Sequence, residues 1–310
     1  VKNSLLIGAA LLPLSAMVAG AQAPAFQTEA ILIFDSGEIQ TVWLMAATET
    51  QIRFREQRVA VDYKDMNLSQ TKAVYILEPK EYSAAVDLFQ ARKYKEAKEA
   101  FAKIKVAHKP LVALRGNHSV LAAFYEMECL RMLGDLEGLN TAQQEFITGR
   151  LERPYQEKQV ELYALWEAVR TQAWSRLDVL ARELSKQALP GDQRAQVAYC
   201  HGLALEGLDK PIEALNAYNV ALTADAGASE TIARDAALNI LRILNADPEV
   251  QLAMKLWGTP DERPNTAGHF RLLEAAAVAS LFELTLGAGA PLPAEYKAFL
   301  KYRANDEAGA

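Results

Sequence analysis

Cys200 and His201 are the one place in the chain where a thiol and an imidazole adjoin, the pairing that nucleophilic catalysis uses when a base takes the proton from sulfur. Successive residues on a helix diverge by about 100 degrees. On the helix that the surrounding pattern predicts, these two side chains therefore point apart and cannot act together. The other histidines, His108, His118 and His269, are scattered without metal-ligand spacing. The sequence holds no CxxC, no HExxH, no nucleophile elbow and no phosphate-binding glycine loop. Gly287-Ala288-Gly289, shortly before Pro291, reads as a helix C-cap. The acid pairs Glu96/Glu99 and Asp35/Glu38 fall on solvated helix and turn surface. These residues predict no catalytic centre, no cofactor and no metal, and the chain reads as a non-enzyme.

The elements that would position any site begin with an apolar run. Lys2 is followed by 14 residues from Leu5 to Val18 and then by the small-x-small sequences Ala19-Gly20-Ala21 and Ala21-Gln22-Ala23. That order is the pattern of a secretory signal peptide over residues 1–21. The run contains Pro13 and falls short of the roughly 20 residues a spanning helix needs. The expected product is an exported protein, periplasmic or secreted, that starts near Gln22 and has no membrane span. Net charge is −6 over 310 residues, which argues against nucleic acid as a partner. Cys129 and Cys200 are too few for a disulfide framework and predict buried free thiols.

From 22 to 79 the period is two. Ala30–Phe34, Ile39–Met45, Gln51–Arg55, Val59–Tyr63 and Ala73–Leu77 read as strands, with a single 3₁₀ turn expected over Tyr63–Leu68. Val42 and Leu44 share one face of the second strand and Trp43 takes the other. So small a sheet removes its exposed edges best by closing. The module resembles the SH3-like or Sm-like small barrels, which implies a closed antiparallel barrel.

Beyond Glu78-Pro79 the period becomes 3.6 and the chain reads as helical hairpins to residue 257, followed by a loop and C-terminal capping helices over 258–310. Ala97, Phe101 and Ile104 recur as Ala214, Tyr218 and Ala221, a small residue, an aromatic and an apolar residue on one helix face. Gly202 precedes the second set where a crossing helix needs a small neighbour. On these residues the segment resembles the tetratricopeptide repeat. Equivalent second-helix positions fall at Ala97, Leu139, Leu177 and Ala214, intervals of 37 to 42 residues against about 34 for the ideal unit. The resemblance implies a mainly α protein, a tetratricopeptide-like α-solenoid behind the small β-module. It also implies a partner groove along the first helix of each hairpin, with Arg92, Tyr125, Arg131, Tyr163 and Arg170 as lining candidates.

The function this predicts is an exported scaffold that binds another envelope or secreted protein or peptide. Two alternatives stand beside it: a structural envelope protein whose β-module binds glycan or peptidoglycan, with Trp43, Tyr63 and Tyr75 as an exposed face, and an accessory enzyme with a site assembled across the 258–268 loop.

Overall fold

A computed structural model describes residues 26–224, 227, 230–286 and 291–302. The signal-peptide segment, its cleavage sites and the Gly287-Ala288-Gly289 cap lie outside the described residues. The chain divides into two compact units, one ending at Leu77 and the other beginning at Glu78.

The first unit is an antiparallel sheet of β1 (Thr28–Phe34), β2 (Ile39–Ala47), β3 (Gln51–Arg55), β4 (Lys64–Asn67) and β5 (Thr71–Ile76). Its strand order is β4-β3-β2-β1-β5. Alternation buries Ala30, Leu32, Val42, Leu44, Ile52 and Phe54 and turns Ile31, Trp43 and Tyr75 to the opposite face. The sheet is open, which corrects the expectation of a closed barrel, since β4 and β5 end it on opposite edges. The fourth strand is also displaced. Val59 and Val61 are 86% and 85% exposed in a turn, and the strand is the polar Lys64–Asn67. Cross-strand pairs fix that register: Arg53 donates to both Asp65 oxygens at 2.8 and 3.0 Å, and Gln51 donates to Asn67 at 3.1 Å. Arg53 also stacks on Tyr63, 4.3 Å from the ring centre. The 3₁₀ turn does precede the last strand, but it spans Leu68–Gln70 rather than Tyr63–Leu68, because Lys64–Asn67 is taken up by β4. An edge that is only four residues long and polar is a poor template for further pairing.

The second unit is mainly helical: α1 (Lys80–Gln90), α2 (Tyr94–Ala107), α3 (His118–Met132), α4 (Leu136–Gln144), α5 (Pro154–Arg170), α6 (Trp174–Ser185), α7 (Gly191–Gly207), α8 (Pro211–Ala224), α9 (Glu230–Ala246), α10 (Pro248–Leu256) and α11 (Ala267–Leu281). Starts follow from local chemistry. Asn117 and Asp135 accept the N–H groups of Val120 and Gly138, each at 2.9 Å, and Pro154 and Pro248 occupy first turns. The expected final helix over Ala294–Tyr302 is a 3₁₀ segment, and its Phe299 is fully buried.

The first four hairpins share one turn. Arg92, Gly134, Gln172 and Asp209 all have positive φ, between 52° and 70°. In each, the following residue donates its N–H five residues back: Lys93 to Leu88, Asp135 to Leu130, Ala173 to Ala168 and Lys210 to Leu205, all at 2.9 Å. This is the Schellman closure of a helix end. Five residues after each turn residue come Ala97, Leu139, Leu177 and Ala214, every one of them buried. The four hairpins are thus in one register, with the spacing read from the sequence. Only the second turn uses glycine, and nothing lies within 4 Å of where a Gly134 side chain would begin. Gly134→Ala is expected to cost about 1 kcal/mol through backbone strain alone; a urea midpoint equal to wild type would show that this turn relaxes.

Two adjoining cores hold the helices. One joins α1, α2 and α3 through Tyr82, Phe89, Phe101 and Tyr125, with Phe101 and Tyr125 stacked at 5.1 Å; the other runs from α3 to the C-terminal segment. In the first core His118 lies 4.9 Å from the Tyr82 ring and 5.5 Å from His108. Burial, with the neighbouring His108, pushes its pKa down to about 4, only partly opposed by Glu78. The unfolded chain takes up a proton near pH 6.5 while the fold refuses it, so stability present above 6.5 is lost as pH falls towards 4. Denaturant melts between pH 7 and 4 should show this slope, and it should flatten in His118→Gln. Equal slopes would remove His118 as the cause.

Candidate functional site

The five residues expected to line a groove do not form one. Arg92 sits at the α1–α2 turn and pairs with Glu230 at the start of α9. Tyr125 is half-buried among Tyr82, Phe89, Phe101 and Phe124. Arg170 closes α5, donating to Glu167 at 2.7 and 2.8 Å and to Glu137 of α4 at 2.8 Å. Arg131 and Tyr163 are buried, at 8% and 0% exposure, so a partner on the surface does not reach them.

Those last two belong to an internal polar network. Arg131 donates to both oxygens of Glu128 at 3.0 and 2.7 Å, and the Tyr163 hydroxyl donates to the same carboxylate at 2.7 Å. Burial acts to lower the Arg131 pKa, but the adjacent Glu128 carboxylate outweighs it and the guanidinium stays charged. Burial and the same carboxylate keep the Tyr163 phenol protonated. Next to it, Gln159 and Gln196 exchange amide hydrogen bonds at 3.0 Å in both directions, and Trp166 donates to Gln196 at 3.2 Å. Gln159 and Gln196 lie 37 residues apart, the same interval as the turn residues Gln172 and Asp209. They are equivalent positions of successive hairpins, tied side by side.

An accessible groove opens instead on the second helices. Between α6 and α8, over α7, a cavity of about 180 Å³ has an apolar floor of Ala181, Leu184, Val197, Ala198 and Val220. It continues through His201 and Ala217 into an open space of about 400 Å³ edged by Arg182 and Glu213. Val220 is 47% exposed. His201 and Arg182 meet Asp178 at 3.1 and 2.9 Å, which fixes one wall. Val220 two places after the buried Tyr218 was the available sequence signal: an apolar residue off the core face of its helix.

The adjacent Cys200 and His201 do not form a nucleophile and base pair. Cys200 is fully buried and His201 turns to Asp178, so the thiol has no base. Both cysteines are free; burial pushes Cys129 up to about 12 and raises Cys200 as well. Among the described residues no group of three or more His, Cys, Asp or Glu side chains is placed to hold a metal, and no helix is long and apolar enough to cross a membrane. In comparisons with known proteins, no family model, curated protein or solved structure matches the chain.

Proposed function

We propose that this protein is a non-enzymatic, tetratricopeptide-like helical-repeat scaffold, an α-solenoid that holds a peptide or protein partner in the groove between α6 and α8. The observation that carries the reading is the common turn and register of four consecutive hairpins, because units stacked in one register present continuous grooves between equivalent helices. An apolar floor with charged edges suits an amphipathic segment of a partner. The export pattern of residues 1–21 supports a partner in the envelope or outside the cell; mass spectrometry of the purified N-terminus tests this.

Capture from the native envelope fraction tests the binding surface. Val220→Glu puts a charge on the groove floor at a half-exposed position, so capture should fall while the thermal melt stays near wild type. Arg92→Ala should leave capture intact. Retention by Val220→Glu would move the partner off this groove. The glycan reading has one observation in its favour, the 57% exposure of Tyr75 on the sheet face opposite the buried one. Tyr75→Ala should abolish sedimentation with peptidoglycan if that reading holds, and leave partner capture unchanged.

A further inference from the structure

A second cavity, of about 210 Å³, lies between α10 and the first turn of α11. Its volume exceeds the roughly 150 Å³ that admits a benzene-sized molecule and is smaller than the approximately 300 Å³ where drug-sized pockets begin. One wall is apolar, made by Leu252, Ala253 and Leu256. The lining also carries the polar residues Glu262, Arg263 and His269.

The polar part of the lining is held in place before any ligand arrives. Glu262 accepts the Gly258 N–H at 3.0 Å and donates its own N–H to Thr259 at 3.1 Å. Thr266 donates its hydroxyl to the Arg263 carbonyl at 2.9 Å. His269 stacks on Trp257 at 5.2 Å and 13°. Gly268 lets α11 seat directly on the Glu249 backbone, where any side chain would collide.

The two lining charges differ in exposure: Glu262 is partly buried and Arg263 is exposed. Glu249 is already committed to Arg271, at 3.2 Å. Glu262 spends one oxygen on Gly258; the other lies 3.8 Å from the His269 ring nitrogen, beyond hydrogen-bond distance. The Arg263 side chain makes no ion pair among the described residues. Glu262 and Arg263, adjacent in sequence, thus line the same cavity as Leu252, Ala253 and Leu256.

We propose that this cavity binds a free α-amino acid with an apolar side chain of about leucine size. Its ammonium group meets Glu262, its carboxylate meets Arg263, and its side chain lies on Leu252, Ala253 and Leu256. A ligand with only one of the two charges leaves the other protein charge unanswered, and an apolar molecule leaves both.

Isothermal titration of the full chain with L-leucine, L-methionine and L-phenylalanine is the test. At least one should bind at about 1 mM or tighter. The comparators 4-methylpentanoate and 3-methylbutylamine, each lacking one charge, should bind about tenfold more weakly or worse, as should the best amino acid to Glu262→Gln or Arg263→Gln. Ala253→Trp, which fills the cavity from a surface-accessible helix, should abolish the heat, with thermal melts confirming that each variant is folded. No binding by any of the three amino acids overturns the proposal, as does a one-charge comparator that binds equally well or binding that survives Ala253→Trp.

Discussion

Glu128→Ala should lower the unfolding free energy by about 3–5 kcal/mol, the cost of breaking a buried ion pair from one side. Arg131 and Glu128 side chains are only 5% and 8% exposed, and the same carboxylate accepts the Tyr163 hydroxyl. Removing it leaves a guanidinium and a phenol in the core without an acceptor, and Arg131 cannot escape by losing its proton. Glu128→Gln keeps one acceptor oxygen, enough for the Tyr163 hydroxyl and one guanidinium N–H, and should cost less. The double change Glu128→Leu with Arg131→Met removes both charges together and should recover much of the loss, because an apolar replacement has no desolvation to offset. Urea melts of the four proteins decide the matter. A single-variant loss within about 1 kcal/mol would mean that Arg131 finds water when its partner is gone.

Gly202→Ala should destabilise the protein by about 1–3 kcal/mol, and Gly202→Leu by more. In an exposed helix the same change to alanine would stabilise by about 1 kcal/mol, so the sign itself is the test. A Cβ at Gly202 would run into the Tyr218 ring. That ring is fully buried, and its hydroxyl donates to Glu206 at 2.6 Å while Glu206 also accepts from Arg242. Tyr218 therefore cannot swing aside without breaking a chain of contacts from α7 through α8 to α9. Ala214→Leu, fully buried in the same hairpin, should behave alike. Unchanged midpoints for these variants would place both residues off the helix crossing.

Sequence alone determined what depends on near neighbours in the chain. The change of period at Glu78-Pro79, the turn at Gly134-Asp135, the two faces of β2 and the close approach at Gly202 all follow from residue size and polarity a few positions apart. Even the spacing of the four turns was legible, because Ala97, Leu139, Leu177 and Ala214 each sit at the same place after a helix end. Tertiary structure decided the pairings that span the chain. Val59–Tyr63 alternates like a strand, yet Arg53 and Gln51 choose the polar Lys64–Asn67 as their partner. Arg131 and Tyr163 look like surface groups on their own helices; Glu128 reaches a hydroxyl 35 residues away and draws both into the core. The α10–α11 cavity is likewise lined by two stretches joined by a loop, Leu252 to Leu256 and Glu262 to His269, which no local period brings together. Helix periodicity says which side chains share a face, but whether that face meets water or another helix is set by packing against residues that local sequence does not contain.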